Sequence, residues 1–116
     1  MHYLLICDDK ALPLSIEAVI NTELSNTTLE SIREIGAQRI RDSGVVFTFR
    51  REKAAVDVTT MTGDPEDSSG PYDGQSWIFI DTRWSLLHRR ATRKLATDIR
   101  EVLLRHGAID DAPETT

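Results

Sequence analysis

Cysteine occurs once in this 116-residue chain, as Cys7. One thiol cannot close an internal disulfide, and a cysteine set inside an apolar run reads as a small buried hydrophobe. Cys/His spacing of the zinc-binding kind is missing, and so is the Asp-x-Asp-x-Asp-Gly pattern of a calcium loop. Aromatic residues make up only 6%, with no aromatic RNA-binding signature among them. No hydrophobic run approaches the roughly 20 residues of a helical membrane span. The first residues show neither the basic n-region nor the long apolar h-region of a secretory signal. Nothing repeats internally. These absences set the expectation of a cytoplasmic protein with no membrane role and no cofactor.

What is present suits a folded domain. Hydrophobic residues account for 40% and charged residues for 28%, ordinary proportions for a globular chain. A chain of this length buries about two thirds of its unfolded surface, so its core is sufficient without metal or disulfide. The net charge of −5 hides a segregation. Asp57, Asp64, Glu66, Asp67, Asp73 and Asp81 fall in a stretch that contains no lysine or arginine. Arg83, Arg89, Arg90, Arg93, Lys94, Arg100 and Arg105 follow, opposed only by Asp98 and Glu101. Blocks of opposite sign complement each other within a fold or meet a partner.

The apolar pattern predicts an α+β single domain in the order β-α-α-β-β-β-α. It has a mixed or antiparallel sheet of about four strands packed against helices, spans 1–109, and ends in a frayed polar tail, 110–116. Tyr3–Cys7 is apolar on both faces, as a central strand would be. Asp8 and Asp9 ease its exit into water. Leu12-Pro13 opens a helix whose stripe is Ile16, Val19, Ile20 and Leu24. Thr27 and Glu30 have capping-box spacing, and Leu29, Ile32, Gly36 and Ile40 then line up as a second helix, stopped by Ser43-Gly44. Val45–Phe49 and Ala54–Val58 flank a short polar turn and read as a hairpin. Trp77–Asp81 is a further strand, in which alternation puts Trp77, Phe79 and Asp81 on one face. Ser85 caps a long helix from about Leu86 to His106, with Leu87, Ala91, Leu95, Ile99, Val102 and Leu103 inward and Gly107 as its stop.

Two patterns resemble known families. "ICDD", an apolar strand ending in an acidic pair, resembles the start of response-regulator receiver domains. There such a pair holds magnesium beside a phosphorylated aspartate. The alternation of strands and helices in those domains is not continued here. The order of residues 28–106 is similar to that of the PD-(D/E)XK nuclease superfamily. It has an acidic residue in a helix (Glu30 or Glu34), a hairpin carrying Asp57, a strand carrying Asp81, and then a basic helix. The resemblance implies Mg2+ held by Asp57 and Asp81, with Arg83 on the scissile phosphate. Asp stands at 81 where Glu is commoner, and Arg at 83 where Lys is usual. Arginine stays charged and cannot serve as a tunable base.

Other candidates are surfaces. The acidic loop 62–76 carries Asp64, Glu66, Asp67 and Asp73 around Tyr72, and Trp77 follows. Acids would speed encounter with a basic protein and an aromatic would anchor it. The basic helix Arg89–Arg105 is a possible nucleic-acid contact. A sequence pI near 5.1 argues against a nucleic-acid footprint as the main one. His88 and His106 read as surface residues, the latter well placed at a helix C-terminus. Trp84 reads as a core-edge residue or an interface anchor.

The favoured expectation is a small acidic protein-binding regulator or inhibitor, of the immunity-protein kind, that docks a basic toxin or partner domain through Asp64, Glu66, Asp67, Tyr72 and Asp73. The alternative is a metal-dependent nuclease, or a degenerate relative, built on Asp57, Asp81 and Arg83.

Overall fold

Dense β-branched and aromatic residues in the middle of the chain set the architecture. "SGVVFTFRR" and "AAVDVTTMT" form β3 (Ser43–Arg51) and β4 (Ala54–Thr62), paired antiparallel from Ser43↔Thr62 to Arg51↔Ala54. The two-residue turn between them places Glu52 at φ +54°, in the left-handed region. The computed structural model describes residues 2–7, 12, 15–36, 43–62, 76–82 and 88–110. Asp8, Asp9, Ile40, Ser85, Leu87 and the tail beyond Asp110 lie outside the described residues.

The remaining elements are β1 (His2–Cys7), α1 (Ile16–Glu23), β2 (Thr28–Gly36), β5 (Ser76–Thr82), α2 (Arg89–Arg105) and β6 (Ile109–Asp110). They form a single α+β domain with one six-stranded sheet, ordered β2-β3-β4-β5-β1-β6. Every pairing is antiparallel. The expected order and the expected four strands are therefore corrected to β-α-β-β-β-β-α-β and six. β1 lies between β5 and β6, the inner position that its apolar character on both faces foretold.

The expected second helix is a strand. Residues 28–36 pair with β3 from Thr28↔Arg50 to Gly36↔Ser43, and Ser43-Gly44 begins β3 instead of ending a helix. A bulge between Leu29 and Ser31 explains the misleading spacing. It inserts one residue, so Leu29 and Ile32, three apart, oppose Phe49 and Phe47 on the same face. A spacing of three in a bulged strand copies the spacing of a helix face. Thr27 and Glu30 form no capping box. Thr27 Oγ1 accepts a hydrogen bond from Arg51 Nε at 3.4 Å, and Glu30 pairs with Arg50 at 3.0 Å.

Both helices pack on one face of the sheet. Their residues Ile16, Ile20, Leu95, Ala96, Ile99 and Leu103 share one core with Leu5, Phe49, Val56, Val58, Ile78 and Ile80. The α2 stripe differs by one residue from expectation at its start: Ala91 is exposed, and Thr92 and Ala96 are buried beside Leu95, Ile99, Val102 and Leu103. α2 ends as expected, with Gly107 at φ +106°. The Ala108 amide bonds back to the Leu103 carbonyl at 3.0 Å, which satisfies a helix-end acceptor. β6 follows at once and pairs with β1, so Asp110 belongs to the sheet.

Ion pairs tie the helices to this face. Asp98 on α2 accepts from Arg51 of β3 at 2.8 Å and from Lys94 at 3.1 Å. Burial opposes ionisation of Asp98, but the hydrogen bonds from Arg51 and Lys94 outweigh it and hold the carboxyl below its ordinary value. Glu23 at the end of α1 meets Arg105 at 3.1 Å and His106 at 3.5 Å. The Arg105 hydrogen bond lowers its pKa against a smaller opposing effect of burial. Arg100 lies over the Tyr3 ring, 5.1 Å from its centroid, and pairs with Asp110.

Candidate functional site

Strand alternation leaves a second face on which no described helix packs. The pairing of β4 with β5 turns it into a ladder. Asp57 is directly opposite Asp81, Thr59 opposite Phe79, and Met61 opposite Trp77. All six side chains project away from Val58, Ile78 and Ile80, which belong to the helix-covered core. Composition is graded along the ladder, from a carboxylate pair through a mixed rung to an apolar one.

Neighbouring strands extend each rung. Thr48 of β3 lies beside Asp57, and its hydroxyl donates to Asp57 Oδ1 at 2.7 Å. Val46 adjoins Thr59, Leu4 adjoins Phe79, and Ile6 adjoins Trp77. The Trp77 and Phe79 rings meet edge to face, with centroids 6.3 Å apart. Trp77, Phe79, Met61, Leu4 and Ile6 are half-buried, whereas Asp81 is exposed. A concavity of about 430 Å³ opens over this ground, lined by Thr59, Met61, Trp77, Phe79 and Asp81.

The carboxylates are the chemical feature. Directly opposite residues in an antiparallel pair have Cβ atoms about 4.5–5.5 Å apart, and like charges so placed repel. Asp57 is steadied by the Thr48 hydroxyl. Asp81 has no ion-pair partner among the described residues. The site therefore joins net negative charge to an aromatic wall, an arrangement that suits a cation with an apolar body.

The sequence candidates separate under this geometry. Asp57 and Asp81, 24 residues apart in the chain, are brought together. Arg83, Trp84 and the loop residues Asp64, Glu66, Asp67, Tyr72 and Asp73 lie outside the described residues. Neither acid expected from a helix joins the pair. Glu30 is taken by Arg50, and Glu34 opposes Val45 on the helix side of the sheet. Among the described residues no group of three His, Cys, Asp or Glu side chains is placed to hold a metal ion.

On the basic helix, Lys94, Arg100 and Arg105 are paired with Asp98, Asp110 and Glu23. Arg89, Arg90 and Arg93 are exposed on its first turns. No described helix is long and apolar enough to cross a membrane.

Thr59, Met61 and Thr48 were not singled out from the sequence. The signal for Thr59 and Met61 was present in the alternation of "AAVDVTTMT", which puts Asp57, Thr59 and Met61 on one side. Comparison with protein-family models, with curated proteins and with solved structures finds no match for this chain.

Proposed function

We propose that this protein is a small acidic binding module, a regulator or inhibitor of the immunity-protein kind, that docks a basic protein partner. One observation carries the reading: the outer ladder of β4 and β5 couples the Asp57–Asp81 pair to the apolar surface of Phe79, Trp77 and Met61. Aromatic anchors give contact energy, and carboxylates give steering and choice of partner. The chain between β4 and β5 carries Asp64, Glu66, Asp67, Tyr72 and Asp73. In this reading those residues add to the acidic contact. The partner is a basic protein met in the cytoplasm.

Affinity capture tests the reading when the wild-type chain is compared with Phe79→Ser/Asp81→Asn on the same support. A basic protein retained by the first and lost by the second supports it. A partner held equally by both contradicts it.

A second reading rests on the same pair of carboxylates. Two aspartates side by side on adjacent strands offer the oxygen donors that Mg2+ prefers, as the nuclease resemblance requires, with Arg83 to meet the phosphate. The observed commitments of Glu30 and Glu34 leave that pair without its third acid among the described residues. Magnesium-dependent cleavage of plasmid DNA, lost in Asp81→Asn, would favour it over binding.

A further inference from the structure

The two edges of the sheet are built differently. β6 closes one edge with only two residues, whereas β2 forms the other with nine. An edge strand offers a row of backbone donors and acceptors to another chain, and short strands, lysines or prolines are the usual guards. β2 has neither lysine nor proline, and its bulge lies at its Thr28 end, between Leu29 and Ser31. Thr28, Glu30, Ser31, Ile32, Arg33 and Glu34 are exposed, and no described strand lies beyond them. Ile32 is 51% exposed in the middle of this strand. It stands opposite Phe47, whose ring stacks on the fully buried Phe49 at 6.3 Å. An apolar row therefore runs from the core out to the β2 edge and stops there.

We propose that β2 pairs with β2 of a second copy, antiparallel about a two-fold axis at Ile32, to make one continuous twelve-stranded sheet. Such an axis sets one residue opposite itself, so the residue at the axis fixes the register. Ser31 at the axis sets Ile32 against Glu30 of the second copy. Arg33 at the axis brings two arginines together and sets Ile32 against Glu34. Ile32 at the axis joins the two apolar rows into Phe47–Ile32–Ile32–Phe47 and sets Ser31 beside Arg33. Glu34 then comes level with Glu30 of the second copy, but on the other side of the sheet. Glu34 opposes Val45 on the helix side, while Glu30 is held by Arg50, which alternation places on the outer side. The axis is perpendicular to the sheet, so both outer faces look the same way. The two β4–β5 ladders then stand about 30 Å apart on one surface, which gives a partner two contacts in place of one.

Sedimentation equilibrium of the full-length chain from about 1 μM to about 1 mM tests the proposal. The expected result is a monomer–dimer transition in wild type, Ile32→Val and Asp81→Asn alike. Ile32→Lys weakens association at least about tenfold and keeps the dispersed 15N spectrum of wild type. Opposed residues have Cβ atoms about 4.5–5.5 Å apart and diagonal ones about 7–8 Å, beyond the reach of a disulfide. Under mild oxidation, Ser31→Cys mixed with Arg33→Cys therefore links into a dimer, and neither variant links alone. A monomer across the whole range overturns the proposal, as does a dimer indifferent to Ile32→Lys. A dimer lost in Asp81→Asn also overturns it, because the seam then lies on the outer ladder. Linking by Ser31→Cys alone, or none in the mixture, overturns the register.

Discussion

Asp57 and Asp81 face each other directly across the β4–β5 pairing, on the side of the sheet away from both helices. A cross-strand pair of like charges is a local liability in the isolated protein. Asp81→Asn removes the repulsion without changing the side chain's size, and no ion pair among the described residues is lost with it. The variant is expected to be more stable than wild type by about 0.2–1 kcal/mol in denaturant titration at pH 7. The gain should shrink as salt is raised, since exposed charges are screened. Stability gained together with partner affinity lost is the expected signature of a functional carboxylate.

Asp98 makes an acid-sensitive tie between α2 and the sheet. Its carboxyl lies below its ordinary value because the hydrogen bonds from Arg51 and Lys94 outweigh burial. The unfolded chain therefore takes up this proton first as pH falls. The stabilisation is complete above the unfolded value and is lost as pH drops through the folded one. Asp98→Asn should cost about 1–3 kcal/mol at pH 7. Its thermal midpoint should also fall less steeply than that of wild type between about pH 5 and pH 3.

Ser76 is fully buried, and its hydroxyl finds no hydrogen-bond partner among the described residues. In register it stands between Cys7 and Thr62 on the inner strands. A buried hydroxyl left unsatisfied costs about 1–3 kcal/mol of desolvation. Ser76→Ala is expected to raise the unfolding midpoint in urea with an unchanged m-value. A lower midpoint would show that the hydroxyl is satisfied in solution.

Glu52 occupies a left-handed conformation, φ +54°, in the β3–β4 turn. For an ordinary L-residue that region costs about 1–2 kcal/mol, and asparagine tolerates it better. Glu52→Asn should therefore stabilise the hairpin by up to about 1 kcal/mol, measured by chemical denaturation. The change lies at the turn, so it should leave partner binding intact.

Local signals were the legible ones. The hairpin, the β1 and β5 strands and the long helix with its Gly107 stop all follow from periodicity over adjacent residues. β2 was not legible, because its bulge at Glu30 shifts the alternation and brings Leu29 and Ile32 onto one face. Two-residue β6 is too short to leave a pattern, and it exists because β1 offers it an edge. Asp57 and Asp81 were visible as candidates, and so was the shared face of Trp77, Phe79 and Asp81. That Asp57 and Asp81 meet depends on the register of strands joined by a long connection, which no local pattern encodes.

The central claim is that the outer side of the β4–β5 ladder is the surface this protein presents to a basic partner. Chemical-shift mapping of the labelled chain with a captured partner tests it most directly. The account predicts that perturbations centre on Asp57, Thr59, Met61, Trp77, Phe79 and Asp81, and that Asp81→Asn weakens the complex about tenfold. A footprint on Arg89, Arg90 and Arg93 that leaves those six residues unmoved would contradict it.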